Sequence, residues 1–173
     1  MNFSIYDSLV PSFIQQLGSI FIIIDKAENY CQENSILEEE LISRRLAPDM
    51  YPLGYQVKSA VTHSIGSIDA IRNGFFCPDK SPWSNSFAAL RDQVELAKCR
   101  LSDIDPGEIN DFSGRDVRFE AGAYKAVFLA EDFLLSFSQP NFYFHCAIAY
   151  GILRAEGVAI GKVDFLGKMR QKA

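Results

Sequence analysis

The chain has 173 residues, of which 48% are hydrophobic and 23% are charged, and these values are typical of a globular protein with one domain, here residues 1–173. The net charge of −5, from 17 basic and 22 acidic residues, argues against a nucleic-acid-binding surface, which needs a basic footprint. The four cysteines form no Cys-x-x-Cys pair, and the N-terminus carries neither a signal-peptide pattern nor an apolar run long enough to span a bilayer, so we expect a cytoplasmic protein without membrane contact.

The first predicted helix runs from about Ser4 to Glu33, because apolar residues recur along it at helical spacing. Pro11 is expected to bend or restart this helix, since proline has no backbone N–H to donate. Ile20, Ile22 and Ile23 widen the apolar stripe beyond one face. That width predicts contact with two neighbouring elements or with a second subunit.

A short helix is predicted over residues 36–45, with Ser35 as its N-cap and Glu38 completing a capping box. Residues 46–52 contain two prolines and predict an ordered, non-helical corner. The second long helix is predicted from Leu53 to about Asn73, where one clean amphipathic stripe extends through the whole segment.

The third long helix is predicted over residues 85–104 with Ser84 as its N-cap, and its apolar positions alternate in spacings of three and four, as in a bundle seam. Residues 111–129 alternate apolar and charged residues and predict a β-hairpin. The fourth long helix is predicted from Glu131 to Glu156, kinked or restarted at Pro140. The elements together predict a mainly α protein, a four-helix bundle with a short extra helix and a small β-hairpin between helices three and four.

A polar stripe crosses the otherwise apolar last helix, because Ser138, Asn141 and His145 are spaced three and four residues apart and share a face. One interpretation is a thin solvent-facing stripe or a core imidazole held by a hydrogen bond. The other is a polar patch in a bundle cavity, where ligand and metal sites are usually built. Under the second interpretation the ligand-binding candidates are Asn141, His145, Tyr143, Tyr150, Asp49 and Gln56.

A complete metal site is not predicted, because such a site needs three or four protein ligands and the chain has only two histidines, His63 and His145. His63 falls to one side of the apolar stripe of the second long helix, so we expect it to lie off the inner face. Asp49, Glu131 or Asn141 would have to complete the set. We therefore expect no cofactor, and a divalent metal held by His145 and His63 stays as the alternative.

Several blocks carry a family resemblance. They are Leu-Ala-Pro-Asp-Met at 46–50, Pro-Leu at 52–53, Gln-Val at 56–57, Pro-Asn-Phe-Tyr-Phe-His at 140–145, Ala-Tyr at 149–150, Ile-Leu-Arg at 152–154, Gly-Lys at 161–162 and Asp-Phe-Leu-Gly at 164–167. In these blocks the chain resembles an uncharacterised bacterial family, a domain of unknown function, of the DinB/YfiT-like superfamily of metal-dependent proteins. The blocks span most of the chain.

The resemblance implies an up-down-down-up four-helix bundle that is often dimeric. Typical members bind a divalent metal through one histidine on the second helix and a His-x-x-x-His pair on the last, and they include thiol-dependent transferases and hydrolases. In this sequence His145 resembles the second histidine of that pair, whereas Asn141 stands where the first would be. The comparison therefore implies a degenerate metal site.

Three hypotheses follow from the sequence. The first is a cytoplasmic bundle that binds a small molecule in a pocket near Asn141 and His145, with an incomplete metal site. The second is a metal-dependent hydrolase or thiol transferase of the DinB-like type. The third is a non-catalytic structural or interaction protein that forms a homodimer through the surface at Ile20, Ile22 and Ile23. The sequence does not decide whether the chain is an enzyme.

Overall fold

A computed structural model describes residues 4–172 of the chain, and residues 1–3 and 173 of the predicted domain lie outside the described part. The protein is mainly helical with a small sheet, as the sequence predicts. The helices are α1 (Ile5–Asn34), α2 (Glu38–Ile42), α3 (Leu53–Thr62), α4 (Ile65–Asn73), α5 (Phe87–Ser102), α6 (Pro106–Asn110), α7 (Ala130–Asp132), α8 (Gln139–Ala155) and α9 (Lys162–Leu166). The strands are β1 (Phe75–Phe76), β2 (Asp116–Ala121) and β3 (Tyr124–Leu129), and a π-helical segment, Phe133–Ser138, joins α7 to α8.

Helix α1 begins at a capping box. The Ser4 Oγ accepts a hydrogen bond from the Asp7 N–H at 3.2 Å, and the Asp7 carboxylate accepts one from the Ser4 N–H at 3.1 Å. The helix continues through Pro11 to Asn34, so the predicted restart at Pro11 is wrong. A proline in the second turn removes a single intrahelical bond, and the long apolar face beyond it holds the helix together.

The predicted capping role of Ser35 is wrong. Ser35 ends α1 in the left-handed conformation, with φ 55°, and α2 begins three residues later at Glu38. The Glu38 carboxylate accepts a hydrogen bond from the Phe87 N–H at 2.8 Å, at the start of α5. Glu38 therefore caps a different helix, where the helix dipole favours a negative charge. The N-cap of α5 is Ser86 rather than the predicted Ser84.

The second long helix is interrupted, which corrects the prediction of one continuous helix. It ends at Thr62, and α4 starts at Ile65. The Ser64 hydroxyl donates to the Val61 carbonyl at 3.0 Å, and the Ser67 hydroxyl donates to the Ser64 carbonyl at 2.7 Å. Serine hydroxyls that bond to nearby carbonyls compete with the regular helical ladder. The apolar stripe continues across the break, so the periodicity of the sequence does not reveal the break.

The long helices pack α1 against α5 and α3 against α8, with further contacts between α1 and α8 and between α3 and α5. The apolar positions predicted for the third long helix all lie in the core: Phe87, Leu90, Val94, Ala97, Leu101 and Ile104. The predicted hairpin is β2 and β3, and β1 pairs parallel to β2 at its other side. β1 was not predicted, because two residues carry no detectable alternation.

The additional apolar residues that widen the stripe of α1 lie mostly in the core rather than on the surface. Ile20 and Ile23 are each 1% exposed, whereas Ile22 is 48% exposed. The predicted dimer surface of three isoleucines is therefore wrong for Ile20 and Ile23, which pack inside the chain. Among the described residues α1 alone is long and apolar enough to cross a membrane, and half of its most apolar window is buried against the rest of the protein.

Candidate functional site

The two histidines of the chain face each other inside the protein. Their ring centroids are 5.7 Å apart, their planes are inclined by 14°, and each side chain is 9% exposed. His145 comes from the middle of α8, and His63 is the C-cap of α3, directly after its last residue. The prediction that His63 lies off the inner face is wrong, because the helical phase stops at His63 and its side chain turns inward there.

Gln56 holds the ring of His145. Its Nε2 donates to the Tyr51 carbonyl at 2.8 Å, and its Oε1 lies 2.8 Å from His145 Nδ1. Because a carbonyl only accepts, the amide must present its oxygen to the histidine. Nδ1 of His145 therefore carries the proton, and the lone pair of Nε2 is left for another partner. The sequence suggested Gln56 and His145 as candidates, and the structure brings them into contact.

Burial keeps both imidazoles neutral near pH 7. Loss of water lowers the pKa of His63 to about 3, with a further contribution from the charge of His145. Burial alone lowers the pKa of His145 to about 4. A buried cationic imidazole is disfavoured because the interior solvates it poorly. Each ring thus offers lone pairs rather than a positive charge to a bound group.

Aromatic rings surround the histidine pair. Phe76 and Phe137 lie 5.6 Å and 5.5 Å from the His63 ring, and Tyr55 and Phe144 lie 5.9 Å and 5.3 Å from the His145 ring. These rings come from α3, β1, the π-helical segment and α8. They make the surroundings of the imidazoles apolar, which strengthens any hydrogen bond formed there.

Two polar atoms near this part of the fold have no internal partner. Among the described residues, His63 Nδ1 and Ser138 Oγ are buried without a hydrogen bond. Asn141 is partly buried, and its Nδ2 donates to the Phe137 carbonyl at 2.7 Å. Asn141 therefore uses its amide N–H within its own helix, one helical turn before His145. Unpaired buried polar groups are rare in native proteins and call for an explanation.

The other candidates from the sequence do not join this cluster. Tyr143 is 37% exposed. It lies two residues before His145 on α8, so the two side chains leave the helix in nearly opposite directions. Tyr150 packs against Phe165, with ring centroids 5.6 Å apart, and so covers the C-terminal segment. Asp49 is exposed in the corner before α3.

The donor set does not fit a three-ligand metal centre. Across residues 4–172, no group of three or more His, Cys, Asp or Glu side chains is arranged to hold a metal ion. Glu131 accepts the Gly114 N–H at 2.9 Å instead of approaching the histidines. The two neutral imidazoles supply only two of the three protein ligands typical of a catalytic metal, and an amide oxygen is a weak third ligand.

A cavity of about 560 Å³ opens beside Tyr55. It is lined by Tyr51, Tyr55, Pro78, Asp79, Lys80, Ser81, Trp83, Ala121 and Gly122. The rings of Tyr51 and Tyr55 stack with centroids 3.9 Å apart, and Trp83 lies edge-on to Tyr55 at 6.1 Å. Because Tyr55 also touches His145, its ring stands between this cavity and the histidine pair.

Sequence reasoning missed the aromatic wall of this cavity, although two signals were present. Tyr51 lies just before α3 and Tyr55 lies in its first turn, so the sequence places two aromatic residues close together at the start of this helix. Gly54 is the second residue of α3, and a Cβ there would lie 2.4 Å from Trp83 Cδ1. Gly54 therefore lets the indole pack directly on the helix backbone, beside Tyr55.

The cysteine next to His145 is poorly suited to nucleophilic chemistry. Cys146 is fully buried, and burial strongly raises the pKa of its thiol. A thiol with a raised pKa is a poor nucleophile because the thiolate is the reactive form. The chemistry that the cluster supports is recognition, in which a neutral imidazole accepts a hydrogen bond amid aromatic rings.

The chain is similar to known proteins over most of its length. The profile of the family described as Domain of unknown function (DUF1993) matches residues 5–166. Among solved structures, the chain is similar to a DinB family member protein from Shewanella denitrificans, with 27% sequence identity and a TM-score of 0.81, covering 97% of this chain and 94% of that chain. A search of curated proteins gives no significant match. The resemblance drawn from the sequence blocks is confirmed.

Proposed function

We propose that this chain, which belongs to the DUF1993 family, binds a small molecule at the paired histidines. One observation carries the proposal: two neutral imidazoles from different helices lie 5.7 Å apart inside a shell of aromatic rings. We propose that α1, α3, α5 and α8 form a DinB-like four-helix bundle, which their mutual contacts support, and that the protein is cytoplasmic.

The chemistry of the site favours one class of ligand. Nε2 of His145 is a hydrogen-bond acceptor, because Gln56 holds the proton on Nδ1. The surrounding rings favour an apolar or aromatic body. A neutral ligand with an aromatic or aliphatic body and one hydroxyl or N–H donor matches both features. The body would lie in the cavity beside Tyr55. Because the Tyr55 ring stands between this cavity and His145, the proposal requires that ring to turn aside so that the donor of the ligand reaches Nε2.

Phenol and toluene form a pair of probes that isolates the hydrogen bond. Both carry a six-membered ring, and phenol alone has a hydroxyl donor. We expect phenol to bind wild type about three- to tenfold more tightly than toluene, which is the net worth of one hydrogen bond. In His145→Ala this preference is expected to disappear. Titration followed by the ¹H–¹⁵N spectra of the His145 and Tyr55 regions measures both affinities.

Two further variants make the test specific. Gln56→Leu keeps His145 but removes the group that fixes its tautomer, so the preference for phenol should shrink while toluene binding stays. Tyr143→Ala lies on the same helix outside the cluster and should match wild type for both probes. Equal phenol affinity in wild type and His145→Ala contradicts the proposal, as does a wild-type imidazole with its proton on Nε2.

A second candidate function is metal-dependent catalysis of the hydrolase or thiol-transferase type. The neutral state of His63 and His145 favours it, because only a neutral imidazole ligates a metal. The incomplete donor set counts against it. Elemental analysis of protein purified without chelators distinguishes the two candidates. Stoichiometric nickel, zinc, iron or manganese that is lost in His63→Ala supports catalysis, whereas substoichiometric metal in wild type removes this candidate.

A further inference from the structure

A second concave site lies along the outer face of α1, apart from the histidine pair. It is a groove of about 540 Å³, lined by Tyr6, Pro11, Ile14, Gln15, Gly18, Phe21, Ile22, Lys98, Lys168 and Arg170. Its floor comes from α1, one wall comes from α5, and the other comes from the segment after α9. Its volume is within the range of pockets that hold small ligands, about 300–1,000 Å³.

Gly18 keeps the floor of this groove open. Glycine is disfavoured in the interior of a helix, and Gly18 lies near the middle of α1. Within the chain, the usual reason for such a glycine is a close neighbour, but a Cβ at Gly18 would meet only Lys98 Cε, at 3.9 Å. Among residues 4–172 only this lysine side chain approaches the space above Gly18, so the groove keeps its depth along the helix.

The rim of the groove is cationic although the chain carries a net charge of −5. Lys98 lies 5.4 Å from the Phe21 ring centroid and also pairs with Glu95 at 2.7 Å. Arg170 donates to the Ser12 hydroxyl at 3.0 Å. Neither Lys168 nor Arg170 has an ion-pair partner among residues 4–172. Two cations without an ion-pair partner in the described part of the chain thus stand at the edge of an apolar trough, where an anionic group could meet them.

The cationic wall has a defined position because α9 is fastened to α1. Gln15 and Gln16 donate to the carbonyls of Leu166 and Phe165, each at 2.9 Å. The Ser19 hydroxyl bonds to the carbonyls of Asp164 and Phe165. These bonds fix the backbone immediately before Lys168, so the basic residues stand beside the groove.

We infer that this groove binds a single-chain anionic amphiphile, a fatty carboxylate, with its acyl chain along α1 and its carboxylate at Lys168 and Arg170. From Tyr6 to Ile22 the helix rises about 24 Å, long enough for an extended acyl chain. The charge of the rim favours this occupant over a second copy of the chain, since two facing grooves would bring their cationic rims together.

Laurate and dodecyltrimethylammonium test the inference, because they share a twelve-carbon chain and differ in the sign of the head group. The measurement is isothermal titration calorimetry at concentrations below the critical micelle concentration. We expect laurate to bind wild type saturably and at least about tenfold more tightly than dodecyltrimethylammonium does. Gly18→Leu fills the floor and should weaken laurate at least about tenfold. Gly66→Leu is the matched control, a helical glycine outside the groove, and should bind laurate as wild type does.

A charge variant keeps the test valid if Gly18→Leu folds poorly. Lys168→Gln with Arg170→Gln should weaken laurate about three- to tenfold, whereas Lys125→Gln on the hairpin should have no effect. Absence of saturable laurate binding, or equal affinity for the two head groups, overturns the inference. A wild-type dimer that Gly18→Leu dissociates assigns the groove to a second copy instead, and binding only to anionic phosphatidylglycerol vesicles assigns it to a membrane surface.

Discussion

At the scale of single residues, the histidine pair shows how burial and one amide set the state of an imidazole. The interior lowers the pKa of both rings, and Gln56 fixes which nitrogen of His145 carries the proton. Neither effect needs a charged partner. The pair therefore presents neutral acceptors over the whole physiological pH range, and protonation in the folded state is confined to acid conditions.

This arrangement predicts that the free energy of unfolding decreases on mild acidification. The unfolded chain takes up protons at the ordinary histidine pKa of about 6.5, whereas the folded values are about 3 for His63 and about 4 for His145. Stability is therefore complete above about pH 6.5 and is lost as the pH falls toward 4. The slope is at most about 1.4 kcal/mol per pH unit for each histidine. Urea denaturation between pH 5 and 7 measures it.

The double variant His63→Gln with His145→Gln isolates this effect. Between pH 5 and 6.5 its stability should be nearly independent of pH, because Asp79, Glu108, Glu131 and Asp164 have lowered pKa values and titrate below this range. A wild-type protein whose stability is equally flat between pH 5 and 6.5 contradicts the assignment of two buried, neutral imidazoles.

The candidate site was only partly predictable from sequence. His145 and Asn141 follow from helical spacing, because a polar stripe on an apolar helix is visible in one segment. The partnership of His145 with Gln56 joins positions 89 residues apart, which periodicity does not encode. His63 was misjudged because the phase of a helix is only informative while the helix continues.

At the scale of elements, α3 carries most of the site. It supplies Gln56 and Tyr55, it ends at His63, and its Lys58 fastens the loop that forms one wall of the cavity. Lys58 is 8% exposed. Its ammonium contacts Asp79 Oδ2 at 3.0 Å, Ser81 Oγ at 3.0 Å and the carbonyls of both residues. Hydrogen bonds to Ser81 and Lys58 outweigh partial burial and hold the pKa of Asp79 below its usual value.

Replacing this ammonium should loosen the wall of the cavity. Lys58→Met keeps the apolar stem and removes the charged donor, so we expect a loss of about 2–3 kcal/mol in the free energy of unfolding, the worth of hydrogen bonds to a charged group. Phenol binding should weaken as the loop over residues 78–83 becomes mobile. Chemical denaturation gives the stability, and hydrogen exchange of the loop amides gives its mobility.

Lys80→Met is the matched control for stability and for loop exchange, because Lys80 is exposed on the same loop and exposed substitutions usually change stability by less than about 0.5 kcal/mol. It is not a control for phenol binding, since Lys80 lines the cavity. Equal exchange rates for the loop amides in wild type and Lys58→Met contradict an anchoring role for Lys58.

Elements with long periodic patterns were predicted well, whereas their interruptions were not. All five seam positions of α5 are buried, as is Ile104 just after its end, because regular spacing over sixteen residues leaves one consistent inner face. The break at His63 and Ser64 depends on serine hydroxyls that bond to nearby carbonyls. Serine at such positions is compatible with an intact helix, so the break is decided by the tertiary structure.

At the scale of the whole molecule, the C-terminal segment returns to the first helix and joins the two ends of the chain. Phe165 packs against Tyr150, and Lys26 pairs with Asp164 at 2.7 Å. The carbonyls of α9 accept bonds from Gln15, Gln16 and Ser19, which are polar residues of an otherwise apolar helix. The polar positions of α1 are thus explained by a partner about 145 residues away along the chain.

Because the C-terminal segment packs on α1, we predict that removing the residues after Ile160 abolishes one of the two proposed binding activities and leaves the other. The truncated chain loses the packing of Phe165 and the bonds to α1, which together stabilise by about 2–4 kcal/mol, and it loses Lys168 and Arg170. Laurate binding should fall at least as far as in Lys168→Gln with Arg170→Gln. Phenol binding should persist, because Gln56, His63 and His145 lie on α3 and α8, which pack against each other. Parallel titrations of the folded truncated protein, checked by circular dichroism, measure both, and a joint loss of phenol and laurate binding contradicts the independence of the two sites.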